Sequence, residues 1–204
     1  EGGIEGTTRF LKNICGLWLY ERCRQEWPEA SEMSHTDLQK SALDVEPFRS
    51  IINPDDSAFA NPKSMTEAIR QYCERTGQPV PQSHGEYLRC IFESLALRYR
   101  QIFTWLKEFA SFDITALHVI GGGSMNAMLN QFTANSCGVE VLAGPQEATA
   151  IGNVMLQAKA GGHVADVWDM RAIIADSVEL RHFMPQDSAM WDAGYEKYCK
   201  VTAN

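Results

Sequence analysis

Residues 117–160 repeat a strand, a tight turn and a helix twice, and this alternation limits the possible folds more than any other feature of the sequence. Both strands are short apolar runs, and both turns are rich in glycine or contain proline. Strands that alternate with helices over so few residues predict an α/β layer, with helices packed against a sheet. The predicted elements are a buried strand at 117–120, a turn at 121–124, a helix to residue 132, a strand at 139–142, a turn at 143–145 and a helix at 146–160.

Apolar residues at helical spacing predict further helices outside this region. The strongest of these segments, residues 83–109, has one broad apolar stripe, which is too wide for a coiled-coil seam and predicts a central core helix. We expect all 204 residues to form one domain. The other predicted helices are 9–27, 35–43, 65–75, 166–174 and 188–201, with a brief strand at 48–52.

The charge balance argues against two classes of partner. The chain has a formal net charge of -8 and no cluster of basic residues, so nucleic acid and anionic membrane surfaces would repel it. Its apolar runs are interrupted well before about 18 residues, and its first residues show no signal-peptide pattern. We therefore expect a soluble, cytoplasmic protein that binds neither nucleic acid nor membranes.

The six cysteines are scattered and lack the spacing of a zinc site. Cys73 and Cys90 flank a short connection between two predicted helices and could approach each other. Two reduced core thiols of a cytosolic protein are the plainer interpretation.

The turn after the first strand carries the most chemical information. Gly121, Gly122 and Gly123 allow positive φ angles and remove every side chain that would keep a ligand away from the backbone. Ser124 is a candidate N-cap for the following helix, and Asn126 offers a donor and an acceptor to an adenine or ribose edge. The spacing matches neither Gly-x-Gly-x-x-Gly nor the Walker A pattern. The alternative is a tight strand-to-helix turn without a ligand.

Several blocks of sequence resemble one enzyme family. They occur in order and span most of the chain, which makes the resemblance more specific than the glycine turn alone. The family is the FGGY carbohydrate kinases and, within it, the kinases of L-rhamnulose. The blocks are residues 9–18, 52–54, 90–96, 118–123, 129–131 and 143–149.

This resemblance implies a fold and a set of site residues. The fold is an actin-like ATPase domain, also described as ribonuclease-H-like, forming the C-terminal half of a two-domain sugar kinase. The glycine turn would be the adenosine motif, with Asn126 beside the base. Asn13, on the first predicted helix, would contact the sugar, and Glu21 would face the nucleotide. Some relatives are expected to have glutamine at the position of Glu21, and a carboxylate near phosphates is repelled unless a metal ion or water intervenes.

The resemblance also implies what the chain lacks. The catalytic aspartate, the phosphate-binding loop and a Gly-Thr phosphate turn would precede Glu1, in an N-terminal domain that acts as the partner of this chain. No catalytic residue is therefore assigned within the sequence. The intact enzyme would use ATP and Mg²⁺ to convert L-rhamnulose to L-rhamnulose 1-phosphate, and the isolated chain would be inactive.

Three other functions remain open from the residues. The first is a kinase for another ketose, such as L-fuculose, and the second is a non-catalytic nucleotide-binding interaction module. The third is a dinucleotide-dependent oxidoreductase, for which Glu140 lies near the distance expected of a ribose-binding acid, although the glycine spacing is wrong.

Overall fold

A computed structural model describes residues 2–28 and 33–203. The chain divides into two compact units, one formed by Glu1–Glu108 with Gly194–Asn204 and the other by Phe109–Ala193. Each unit has its own buried residues, and the expectation of one domain stays a prediction. Among the described residues, no helix combines the length and the apolar character needed to cross a bilayer.

Eight α-helices and three strands are formed by the described residues. The helices are α1 (Trp18–Glu26), α2 (His35–Leu43), α3 (Met65–Arg75), α4 (His84–Phe109), α5 (Ala127–Cys137), α6 (Ala148–Ala160), α7 (Val167–Ser177) and α8 (Ser188–Thr202), and the strands are β1 (Ala116–Val119), β2 (Glu140–Ala143) and β3 (Arg181–Phe183).

The first unit is built around α4, which confirms the predicted core helix. Half of its 26 residues are buried. The predicted helices at α2 and α3 are also confirmed, and each begins at a serine cap. The Ser34 hydroxyl accepts the amide N–H of Asp37, and the Ser64 hydroxyl accepts that of Glu67, both at 3.1 Å. Such caps satisfy amides that have no acceptor inside the helix.

The first predicted helix is wrong over residues 9–17, because α1 begins only at Trp18. An apolar face stabilises a helix only when other residues cover it. Here Phe10 is 72% exposed and Leu11 is 49% exposed. Asn13 and Gly16 further weaken a helix at this point.

The predicted strand at residues 48–52 is also wrong, since the segment has no strand partner. Side chains bind its backbone instead. The amide of Phe48 donates to Glu93 at 2.7 Å, and the amide of Ile52 donates to the Ser94 hydroxyl at 2.9 Å. Buried amides need acceptors, and two polar side chains of α4 supply them here.

The second unit contains a three-stranded sheet in the order β1-β2-β3. Strands β1 and β2 are parallel, which confirms the predicted α/β alternation. Strand β3 pairs antiparallel with β2 and was not predicted. Strand β1 is only half-buried and exposes His118, so the expectation of a buried strand is wrong.

Candidate functional site

The two turns that follow β1 and β2 are hydrogen-bonded to each other. Parallel pairing brings the carboxyl ends of both strands to the same edge of the sheet. At this edge the amide of Gly121 donates to the carbonyl of Pro145 at 3.1 Å, and the amide of Gly144 donates to the carbonyl of Val119 at 2.8 Å. The glycine turn is therefore fixed against the neighbouring turn.

The glycine turn presents backbone without side chains on an open surface. Gly121 has a φ of +74°, in the left-handed region that favours glycine. A Cβ added at Gly121 or at the exposed Gly122 would meet no other atom within 4 Å. At Gly123 it would make an ordinary contact of 3.7 Å with Val119. The space that a Cβ would fill at Gly121 and Gly122 is thus free of other protein atoms.

Side chains hold the carbonyl groups of the turn, which forms one short 3₁₀ helix from Gly121 to Met125. The Ser124 hydroxyl donates to the carbonyl of Gly121 at 2.7 Å. The Asn130 amide nitrogen donates to the carbonyls of Gly123 and Ser124 at 3.2 and 3.1 Å. The Arg181 guanidinium of β3 also donates to the carbonyl of Ser124.

The N-cap of α5 is Asn126, which corrects the expectation that Ser124 caps this helix. Asn126 Oδ1 accepts the amide N–H of Leu129 at 3.0 Å, and the side chain is largely buried. Ser124 instead lies inside the 3₁₀ turn. The cap uses one lone pair of Oδ1, and the amide nitrogen of Asn126 is the donor that the side chain offers to a ligand.

Asn13 lies in the irregular segment before α1 and is exposed. The segment is tied to the first unit at Cys15, whose amide donates to Asp55 Oδ1 at 2.8 Å. Arg98 of α4 in turn holds Asp55, with its Nε at 2.9 Å and its Nη2 at 2.8 Å from Oδ2. Glu21 lies in the first turn of α1 and is half-buried.

The predicted site residues are therefore divided between the two units. The structure brings Gly121, Gly122, Gly123 and Asn126 together in the second unit, whereas Asn13 and Glu21 belong to the first. Their joint action on one ligand is a proposal. The residues that sequence reasoning missed are Asn130, noticed only as part of a family block, and Arg181, on the strand that was not predicted.

Other candidate groups are engaged in contacts of their own. Glu140, the candidate ribose-binding acid, lies 2.7 Å from His182 Nδ1. Cys73 and Cys90 are free, buried thiols, and the hydrogen bond from Cys90 lowers the pKa of Cys73 despite its burial. Among the described residues, no group of three or more His, Cys, Asp or Glu side chains is arranged to hold a metal ion.

Comparisons with known proteins point to one family. Residues 1–161 match the family model described as FGGY family of carbohydrate kinases, C-terminal domain. The chain is 58% identical over 195 residues to the rhamnulokinase of Bacteroides thetaiotaomicron. The aligned residues cover 96% of this chain and 40% of that relative. It is 47% identical over 186 residues to the rhamnulokinase of Pectobacterium carotovorum subsp. carotovorum, covering 91% of this chain and 37% of the relative.

A solved structure has the same fold. The crystal structure of the xylulose kinase from Rhodospirillum rubrum is similar with a TM-score of 0.66 and 20% identity, over 91% of this chain and 37% of that chain. At this identity the likeness concerns the fold alone, and it confirms the predicted actin-like ATPase fold. The chain spans about two fifths of the length of the curated relatives that it matches.

Proposed function

The chain belongs to the FGGY family of carbohydrate kinases, and on this premise we propose that it is the nucleotide-binding half of an ATP-dependent kinase of L-rhamnulose. The intact protein transfers the terminal phosphate of ATP to the 1-hydroxyl of L-rhamnulose, giving L-rhamnulose 1-phosphate and ADP. The names of the two rhamnulokinases described above support this choice of sugar. We further propose that this kinase acts in the cytoplasm.

One observation carries the proposal: the backbone at Gly121 and Gly122 is open and free of side chains. Adenosine would rest directly on this main chain, because no Cβ keeps its planar ring away. Asn126, at the end of the turn, would donate from its amide nitrogen to the base or ribose.

The sugar and the phosphates involve the first unit. Exposed Asn13 has both a donor and an acceptor for sugar hydroxyls. Glu21 would face the nucleotide through water or a cation, since its carboxylate would repel phosphate oxygens directly. Mg²⁺ would be bound mainly by the phosphate oxygens of ATP, where it neutralises charge.

Catalysis requires groups that this chain does not supply. We assign the catalytic base and the phosphate-binding loop to an N-terminal half of the intact protein, which closes over the substrates and excludes water. The isolated chain is therefore expected to be inactive and to bind ATP weakly. Sugar phosphorylation by the isolated chain would contradict this assignment.

The test is a coupled kinase assay on the full-length protein with L-rhamnulose, L-fuculose and D-xylulose as acceptors. L-Rhamnulose is expected to give the highest kcat/KM. A higher kcat/KM for L-fuculose would change the assigned sugar but would still support a kinase. ATP binding without phosphorylation of any sugar would favour the non-catalytic module, and tighter binding of NAD than of ATP would favour an oxidoreductase.

The nucleotide site is tested separately with Gly122→Arg. The added side chain would fill the open surface, so ATP binding measured by calorimetry should be lost. Gln157→Arg is the matched control, because it adds the same charge at an exposed position of α6 in the same unit. Normal ATP affinity in Gly122→Arg would remove the basis of the proposed function.

A further inference from the structure

The glycine turn is held by side chains from two elements that the proposed function does not use. Asn130 of α5 and Arg181 of β3 both donate to carbonyls of the turn, and they meet at the carbonyl of Ser124. We propose that Asn130 and Arg181 are positioning residues that fix the glycine turn in the shape that receives the nucleotide. This inference rests on the proposed function, because it concerns the same turn.

A turn of successive glycines needs such support. Glycine has more backbone freedom than any other residue, so an unsupported turn would lose much entropy when a ligand fixes it. A turn that is already fixed avoids this cost and binds more tightly. Side chains that hold its backbone therefore contribute to affinity without touching the ligand.

Asn130 is well placed for this role. It is 2% exposed, and its single amide nitrogen donates to two consecutive carbonyls, those of Gly123 and Ser124. Its own backbone amide donates to the carbonyl of Asn126 at 3.0 Å, in the first turn of α5. The rigid helix α5 thus fixes the position of the amide that holds the turn.

Arg181 connects a third element to the same carbonyl. Strand β3 pairs with β2 so that Arg181 lies opposite Ala143, immediately before the second turn. From this position its guanidinium donates to the carbonyl of Ser124. The residue as a whole is exposed, and its guanidinium also lies 5.9 Å from the ring of Phe183.

A positioning role differs from a purely structural one in what a substitution changes. A structural residue lowers stability, and the smaller fraction of folded protein lowers the apparent kcat while both KM values stay near those of the wild type. A positioning residue raises the KM for ATP while the KM for sugar stays constant. Arg181 separates the two roles well, because replacing an exposed side chain has little effect on folding.

The experiment uses the full-length protein and measures kcat, the KM for ATP, the KM for sugar and the thermal unfolding midpoint. Arg181→Met should raise the KM for ATP about three- to five-fold, the equivalent of one lost hydrogen bond. Arg181→Lys keeps a donor for the same carbonyl and should restore the KM to within about two-fold of the wild-type value. Asn130→Ala should raise the KM for ATP about ten-fold, because two hydrogen bonds are lost.

Two controls match these variants. Asn135 is on the same helix and is also buried, and its Oδ1 accepts from Gln131 Nε2 at 2.7 Å and from the amide of Gln186 at 2.9 Å. Asn135→Ala therefore removes two hydrogen bonds of α5 without touching the turn. Arg171→Met removes an arginine that lies over the ring of Trp168, in the same unit. Both controls should keep the wild-type KM for ATP.

The outcomes separate this inference from the proposed function. If Gly122→Arg abolishes ATP binding but Arg181→Met leaves the KM for ATP unchanged, the positioning role is overturned and the nucleotide site stands. If Gly122→Arg binds ATP normally, the proposed function fails. If Asn130→Ala does not fold, Arg181→Met and Arg181→Lys are compared instead. A KM for ATP that rises in Arg181→Met and returns toward the wild-type value in Arg181→Lys supports the inference. A KM for ATP that stays raised in Arg181→Lys contradicts it.

Discussion

The two segments proposed to bind substrates are held in opposite ways. In the second unit, residues 121–126 are fixed by the neighbouring turn and by the side chains of Ser124, Asn130 and Arg181. In the first unit, residues 9–13 are exposed, and the segment is tied down at Cys15 through Asp55. We therefore expect the nucleotide turn to be rigid before any ligand arrives, and the segment that carries Asn13 to adapt.

The helices behind these segments differ in how many of their residues are buried. In the first unit, half of the residues of α4 are buried, and they include the ion pair of Arg89 and Glu93. In the second unit, α6 has no buried residue and α7 has only Met170. In the same unit α5, which begins at the glycine turn, has eight of its 11 residues buried. The turn that we expect to be rigid thus adjoins a well-buried helix, whereas the segment of Asn13 adjoins α1, in which three of nine residues are buried.

The largest effect is expected in the dense core of the first unit, for Glu93→Ala. Glu93 is 1% exposed, accepts the Arg89 Nε–H at 2.7 Å and accepts the amide of Phe48. The substitution removes the counter-charge of a buried guanidinium, which should cost about 3–5 kcal/mol in the free energy of unfolding. Urea denaturation measures this loss.

Glu74→Ala is the control, because Glu74 forms an exposed ion pair with Arg70 and should change the free energy of unfolding by about 0.5 kcal/mol or less. Equal losses in the two variants would mean that the core of the first unit does not depend on its buried charges.

The same residue predicts a pH dependence. Burial raises the pKa of Glu93 to about 7, although the charges of Arg89 and Lys197 favour the ionised form. A carboxyl group whose pKa is raised by folding stabilises the folded state below its unfolded pKa, and this contribution is lost as the pH rises through the folded pKa. Between pH 4.5 and about pH 8, the free energy of unfolding should therefore fall by up to roughly 3 kcal/mol through this group.

Glu93→Gln removes the titration while keeping the shape of the side chain. Urea denaturation at several pH values should give a flatter profile for this variant than for the wild type. Parallel profiles would show that Glu93 does not titrate in this range.

Within the first unit, the sequence predicted the helices better than the segment of residues 9–17. Helices α2, α3 and α4 could be predicted because serine caps and a long apolar stripe are local signals. The same periodicity failed at residues 9–17, since Phe10 and Leu11 continue a helical pattern that no core covers. Whether an apolar face is buried depends on tertiary structure, which a local pattern does not contain.

The glycine turn could be predicted from the sequence, whereas the side chain of Arg181 that holds it could not. The absence of side chains at residues 121–123 can be read directly from the sequence. By contrast, Arg181 reaches the carbonyl of Ser124 across 57 positions, from a strand of three residues that exists only through its pairing with β2. Nothing in the local sequence distinguishes this arginine from a solvated surface residue.

The third prediction concerns Asp55, which binds the segment of Asn13 at Cys15. Asp55→Ala removes the acceptor of the Cys15 amide and the partner of the Arg98 guanidinium. Losing hydrogen bonds to a charged group should cost about 2 kcal/mol in the free energy of unfolding. The released segment should raise the KM for sugar about ten-fold in the full-length protein, with an unchanged KM for ATP.

Asp56→Ala is a neighbouring control, because the carboxylate of Asp56 pairs with Arg75 and accepts the amide N–H of Ala58. It should leave the KM for sugar unchanged. An unchanged KM for sugar in Asp55→Ala as well would mean that the segment does not need its tether.

The fourth prediction compares two glycines. Gly121 has a φ of +74°, so Gly121→Ala should cost about 1–2 kcal/mol in the free energy of unfolding and raise the KM for ATP. Gly16 belongs to the adaptable segment, lacks a left-handed φ and would accept a Cβ without any contact within 4 Å. Gly16→Ala should change stability by less than about 0.5 kcal/mol. Similar losses at both positions would contradict the contrast between a rigid and an adaptable segment.

The smallest effects are expected for the two asparagines of the proposed site. Asn126→Ala removes the cap of α5 and should cost about 1 kcal/mol in the free energy of unfolding, together with weaker ATP binding. Asn13→Ala removes an exposed side chain and should leave stability within about 0.5 kcal/mol of the wild type, while the KM for sugar rises. A residue that changes binding without changing stability lies on an adaptable segment, and one that changes both belongs to a rigid turn. Loss of stability in Asn13→Ala, measured by urea denaturation of the full-length protein, would therefore place Asn13 in the fixed part of the fold.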